Sequence, residues 1–211
     1  MLLLAAARRL PRVFEAAMDG TWTTTPGREL TGKRLAIIGC GRIGAAVARI
    51  AAFGFGMRVT GCRRSLDDAD SLRADFGIER LTTDFADAVD GADFVSLHIP
   101  SIPSTAHYLG SKRHRHAGSA CMADQHRTGR CGGRDGHVMT RLHRGASLDV
   151  FEREPYVPAD RARDLRALDN VVLTAYRQQH GGSEWPHGRT HAPKHRVCRG
   201  GKLAHNGFVE S

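Results

Sequence analysis

The chain has 211 residues, 41% hydrophobic and 25% charged, enough for one well-cored domain and short for two. That usage excludes a wholly disordered or collagen-like chain. Thirty-one Lys and Arg against 22 Asp and Glu give a net charge of +9, with twelve His, a balance that taken alone suggests a nucleic-acid partner.

The chain opens Met1-Leu2-Leu3-Leu4-Ala5-Ala6-Ala7-Arg8-Arg9, which imitates a signal peptide. No basic region precedes the apolar run, and the pattern predicts the front of an amphipathic helix instead. No stretch approaches membrane-spanning length. Five Cys, with no C-x-x-C pair among them, argue against a disulfide framework and for a reducing compartment, so a cytoplasmic protein is expected.

A buried parallel strand is predicted at Leu35-Ala36-Ile37-Ile38, and a helix over Ala45–Phe53. Between them Gly39-Cys40-Gly41-Arg42-Ile43-Gly44 spells G-x-G-x-x-G. Gly39 permits the tight turn, Gly41 lets backbone approach a pyrophosphate, and Gly44 allows close helix–strand packing. The helix N-terminus then offers free N–H groups to the phosphates. A second strand is predicted at Met57–Gly61. An NAD site usually ends this strand with an acid for the ribose 2′-hydroxyl. Here Cys62-Arg63-Arg64-Ser65 follows. Two guanidiniums and a hydroxyl suit a 2′-phosphate, so NADP is favoured over NAD. Phe85–Asp93 reads as a short helix and turn, and Phe94–Pro100 as a strand leading into a cofactor-edge loop. Alternating strands and helices predict an α/β fold, a Rossmann-type doubly wound parallel sheet with ligand at the strands' carboxyl ends.

Residues 113–144 and 177–205 have a different texture: rich in Arg, His and Gly, with neither period 2 nor period 3.6. They hold thirteen of the basic side chains, three of the acidic ones and ten of the twelve His, a net of +10. The rest of the chain carries −1. Segment 113–144 has too few periodic apolar residues to supply the central strand and flanking helix its position demands, so an incomplete sheet with disordered or irregular basic segments is expected.

Leu30-Thr31-Gly32-Lys33, the Gly39–Gly44 turn, Val95-Ser96-Leu97-His98-Ile99-Pro100 and Thr105-Ala106-His107-Tyr108-Leu109 form one set of matches. Gly145–Pro155 and Asn170-Val171-Val172-Leu173-Thr174 form another. Together they make the chain resemble the NAD(P)-binding domain of the D-isomer-specific 2-hydroxyacid dehydrogenases. That group includes phosphoglycerate dehydrogenase and the glyoxylate/hydroxypyruvate reductases. The resemblance spans residues 1–176 apart from the first basic segment. It implies hydride transfer between NAD(P)H and a small 2-oxo acid, and a homodimer. It also implies a substrate-binding Arg, a general acid/base His, an orienting Glu matched by Glu154, and a nicotinamide-contacting Asp matched by Asp149. Pro100 falls in the motif that borders the cofactor.

The departures coincide with the basic segments. The resemblance implies a strand ending Ile-Asn-Thr-Ala-Arg-Gly within 113–144, and Leu-Thr-Pro-His-Ile-Gly after the last strand. Neither is written there, so both the Arg and the His are missing. Shifting the reading by one base lets Ala123–Arg134 spell Leu-Ile-Asn-Thr-Ala-Arg-Gly-Gly-Val-Val-Asp-Glu. The same shift lets Thr174–Gly181 spell Pro-His-Ile-Gly-Ser-Asn-Thr-Ala. Both segments therefore read as frameshifted translations. The expected layout is a lead-in helix and connection over 1–28, the NAD(P)-binding domain over 29–176 interrupted at 113–144, and an irregular basic tail over 177–211. Met1 falls inside the lead-in helix, and the family's separate substrate domain is expected to be absent.

Three rival readings have specific signatures. Zinc would need paired ligands, and His114-x-His116 has no partner pair at a ligand spacing, so no metal is expected. A nucleic-acid arm would need interleaved aromatics or a helix to present the charge, and has neither, so no specific nucleic acid is expected. A non-catalytic NAD(P)-binding or oligomerising remnant would keep the glycine turn and lose turnover.

Overall fold

The computed structural model describes residues 1–22, 24–67, 69–100, 102–105, 108–109, 113, 145–149, 151, 156–158, 164–168 and 170–174, and the backbone of 121–124. One compact unit takes Met1–Arg177; the remainder, Gln178–Ser211, lies outside the described residues, as do Glu154, His114 and His116.

The chain begins with α1 (Leu2–Ala7) and α2 (Leu10–Met18), which break at Arg9, a non-glycine residue with φ +51°. The opening run is helical as predicted and buries Leu2, Ala5 and Ala7; α1 contacts the last three strands of the sheet, and Ala7 joins the apolar layer of Leu35 and Ile37. Then follow β1 (Arg34–Ile38), α3 (Arg42–Arg49) with a π-helical turn at Ile50–Gly54, and β2 (Arg58–Cys62). Next come α4 (Ala69–Phe76), β3 (Ile78–Thr82), α5 (Phe85–Val89) and β4 (Phe94–Leu97). Three short strands complete the set: β5 (Cys121–Asp124), β6 (Ala146–Leu148) and β7 (Val171–Leu173).

These strands form one parallel sheet in the order β3-β2-β1-β4-β5-β6-β7. Leu35, Ala36, Ile37 and Ile38 of β1 are all essentially inaccessible, as a strand covered on both faces requires. One apolar layer gathers Ile38, Cys62, Phe85, Val89, Val95 and Leu97. The other gathers Leu35, Ile37, Ala48, Met57, Val59 and Phe94. The side chains of β1 alternate between them.

One expectation is corrected. The sheet is continuous, because Cys121–Asp124 pairs in parallel with β4 on one side and β6 on the other, with Leu97 opposite Asp124 and Asp124 opposite Leu148. A four-residue central strand is held by backbone hydrogen bonds to two neighbours and is too short to display a period. Lack of periodicity in 113–144 therefore did not exclude a strand there.

Candidate functional site

The chain crosses from β1 to β2 on one side and then to β4 on the other, so the order reverses at β1. In open α/β sheets that reversal opens a crevice at the strands' carboxyl ends, where ligands bind. The glycine turn sits there.

Three glycines make the turn for three different reasons. Gly39 has φ +92°, and a Cβ on it would lie 2.6 Å from the His98 carbonyl oxygen. A Cβ on Gly44 would lie 2.4 Å from the Gly39 carbonyl oxygen, so α3 can press onto the turn only with glycine at that position. At Gly41 nothing stands within 4 Å of a would-be Cβ. Packing does not require glycine there, which leaves an open face for close approach of a ligand. The Gly39 and Cys40 amides both donate to the Cys62 carbonyl, at 2.9 and 3.2 Å, fastening the turn to the end of β2.

Gly41 is the N-cap of α3, in extended geometry and with no side-chain cap. The first intrahelical bond is Ala45 N–H to Gly41 O at 2.8 Å. The amides of Arg42, Ile43 and Gly44 therefore lie in the helix's first turn without intrahelical acceptors, the arrangement that attracts phosphate. The Arg42 and Ile43 side chains are exposed and leave this backbone open. The residues present fit a dinucleotide pyrophosphate: the two crowded glycines shape the cradle, and the uncrowded one keeps its mouth clear.

Arg63, Arg64 and Ser65 follow β2 directly. Arg63 is half-buried, and its amide donates to the Thr82 carbonyl at 3.1 Å, which sets where the loop leaves β2. Arg64 is exposed. The Ser65 hydroxyl donates to Asp67 Oδ2 at 2.5 Å, a contact the sequence reading missed although Ser-x-Asp is a turn-forming spacing. The Cys40 thiol is pushed up by burial, against the opposing pull of the Arg63 charge. Burial first, and the Asp84 charge next, push the Cys62 thiol up to about 11.

On the β4 side, the His98 amide donates to the Ile38 carbonyl at 2.7 Å and prolongs the β1–β4 ladder past Leu97. Ser96 Oγ and His98 Nε2 form a buried hydrogen bond of 2.8 Å beneath the turn. This pair was also missed; Ser-x-His on a strand places both side chains on one face. Pro100 is exposed, and its carbonyl accepts from Thr105 Oγ1 at 2.5 Å and from the Ile102 amide at 3.1 Å, which folds the following loop back.

Asp149 is half-buried just past β6, and Thr174 Oγ1 donates to its Oδ1. It shares the carboxyl edge with the glycine turn and stands four strands from β2, about 19 Å at ordinary strand spacing. The structure thus sets Arg63–Ser65, the turn and Asp149 in sequence along one edge. A hollow of about 480 Å³ lined by Val157, Pro158, Asp164 and Arg166 contains none of these residues. No group of metal-ligating side chains occurs among the described residues, and no described helix is long and apolar enough to cross a membrane.

The family description "D-isomer specific 2-hydroxyacid dehydrogenase, NAD binding domain" matches residues 1–120. This chain belongs to that family. Glyoxylate reductase of Korarchaeum cryptofilum is 33% identical over 189 residues, covering 83% of this chain and 53% of its own length. Hydroxypyruvate reductase of Thermotoga maritima is 33% identical over 183 residues, covering 83% of this chain and 56% of its own. The crystal structure of TT0316 protein from Thermus thermophilus superposes with a TM-score of 0.68 at 32% identity, covering 82% of this chain and 54% of that one. The chain spans about half the length of the curated relatives it matches. A dinucleotide site at the β1 carboxyl end of this dehydrogenase domain agrees with the family's NAD-binding description.

Proposed function

We propose that this chain is the NAD(P)-binding half of a 2-hydroxyacid dehydrogenase. Its ancestral reaction would be hydride transfer between NAD(P)H and a small 2-oxo acid such as glyoxylate or hydroxypyruvate, and this chain would perform it poorly. The observation that carries the reading is the glycine turn, with an unobstructed Gly41 at the uncapped start of α3. The amides from Gly41 to Gly44 would hold the pyrophosphate, with Arg42 and Ile43 contributing backbone. Arg63, Arg64 and Ser65 would meet the ribose 2′ position, where the two guanidiniums favour NADP. Pro100 would border the cofactor, and Asp149, steadied by Thr174, would meet the nicotinamide carboxamide. When bound, the cofactor supplies or accepts the hydride. Glu154 would hold the place of the Glu that orients the acid/base His in the family. As in the family, the working form would be a homodimer, and the NAD(P)-binding domain would span residues 29–176.

Impairment follows from what is written after two strands. β5 ends at Asp124 and β7 at Leu173, and the residues that follow are Gln125-His126-Arg127 and Thr174-Ala175-Tyr176 rather than the motifs bearing the substrate Arg and the His. General acid–base participation contributes roughly 10²- to 10⁴-fold in rate, and the carboxylate anchor adds to that. Fluorescence titration of the full chain should show NADPH and NADH binding. Turnover of glyoxylate and hydroxypyruvate should fall at least about 100-fold below that of an ordinary dehydrogenase. Turnover in the ordinary range would overturn the impairment. Failure to bind either cofactor would overturn the site. The coding DNA tests the cause: it should permit the shifted reading across residues 123–134.

A further inference from the structure

Resting on that cofactor reading, we infer that Asp67 is a positioning residue that sets cofactor choice, by taking the only proton Ser65 can offer. A serine hydroxyl has one proton and two lone pairs. Here the proton is directed at Asp67 Oδ2 over 2.5 Å, and the Asp67 amide leans back on the same Ser65 oxygen at 3.4 Å. Ser65 Oγ is thereby held as an acceptor, with one lone pair left free of these two bonds. A ribose 2′-hydroxyl can donate to that lone pair. A 2′-phosphate cannot, because its oxygens are acceptors and meet both the lone pair and the nearby carboxylate.

The two halves of the loop therefore pull in opposite directions. The guanidiniums of Arg63 and Arg64 draw in a 2′-phosphate, whereas the Ser65–Asp67 pair suits the unphosphorylated ribose. Arg63 is fixed at the end of β2 by the hydrogen bond from its amide to the Thr82 carbonyl, and Ser65 is two residues further on in the same loop, the loop that would meet the ribose. The combination describes a site that takes both cofactors, with NADPH held below the affinity that its two arginines alone would give. On this inference the hydroxyl works against the arginines rather than with them.

The test is a double-mutant cycle on the full chain, with NADPH and NADH titrated separately by nucleotide fluorescence. Asp67→Ala releases the Ser65 proton and should tighten NADPH binding about five-fold, in the range of one net hydrogen bond, while NADH binding stays level or weakens. In a Ser65→Ala background the same substitution should change the NADPH-to-NADH ratio by less than about two-fold, since the coupled partner is gone. An equal gain in both backgrounds would mean that Asp67 acts by charge alone, and it would overturn the inference. So would no change in the ratio on Asp67→Ala. The underlying cofactor reading fails on a different result: NADPH affinity unaffected by Arg63→Ala with Arg64→Ala. If the parent chain binds neither nucleotide, both are overturned.

Discussion

Gly41 and Gly44 stand three residues apart in one turn and answer to different constraints. A Cβ on Gly44 meets fixed backbone at 2.4 Å. Gly44→Ala must therefore push α3 off the turn, and a cost of about 1–3 kcal/mol in urea unfolding is expected. A Cβ on Gly41 meets nothing within 4 Å, and its φ of −88° is ordinary for any residue. Gly41→Ala should cost under about 1 kcal/mol of stability. It should still weaken NADPH binding, because its methyl occupies the approach. Equal effects of the two substitutions on stability would contradict this division. The spacing of the three glycines was legible in the sequence because their roles follow from backbone geometry. Asp67 was not, because its role comes from a side chain folding back on a neighbour two residues away. Nor was the Ser96–His98 bond, which depends on where β4 ends relative to the turn.

Elements whose residues face a core announced themselves, whereas elements on the rim did not. β1, α3, β2, α5 and β4 fall where apolar runs and turn residues predict them. The helix expected to reach Phe53 instead gives way to a π-helical turn from Ile50. α4 and β3 went unread because α4 buries none of its residues and β3 is an edge strand that buries only Ile78. α5 has the opposite character: five residues long, it packs Phe85, Ala88 and Val89 against the sheet and depends on a good start. Asp84 supplies that start, its carboxylate accepting from the Asp87 amide at 2.8 Å. Asp84→Ala should destabilise the fold by about 1 kcal/mol, read as a lower urea midpoint with an unchanged slope.

At the scale of the whole molecule, the charge balance and the dehydrogenase domain come apart. The excess basicity belongs to segments that, β5 and Arg113 apart, lie outside the described residues, and the described domain holds its stability through buried apolar layers and buried thiols. Those thiols give the fold an alkaline limit. The Cys62 value is raised from 9.0 to about 11, so folding favours the neutral form. That contribution is fully present below pH 9 and is lost as pH rises from 9 toward 11. Cys40 is displaced in the same direction. Unfolding followed by urea between about pH 8 and 11 should show a falling limb that is shallower in Cys62→Ala. An unchanged limb would assign the loss to other groups.

The bond from Ser147 Oγ to the Leu2 carbonyl, 3.1 Å long and wholly buried, joins residues 145 positions apart. Through it, α1 docks chiefly on β5, β6 and β7, while Ala7 joins the apolar layer of Leu35, Ile37 and Phe94. During synthesis, α1 leaves the ribosome without most of its docking surface and must wait for more than a hundred residues before β5, β6 and β7 complete it. Ribosome-bound chains halted before β6 should therefore leave α1 open to protease, and chains halted well beyond β7 should protect it. Any substitution in β5, β6 or β7 that loosens this contact is consequently felt by a helix more than a hundred residues earlier in the chain.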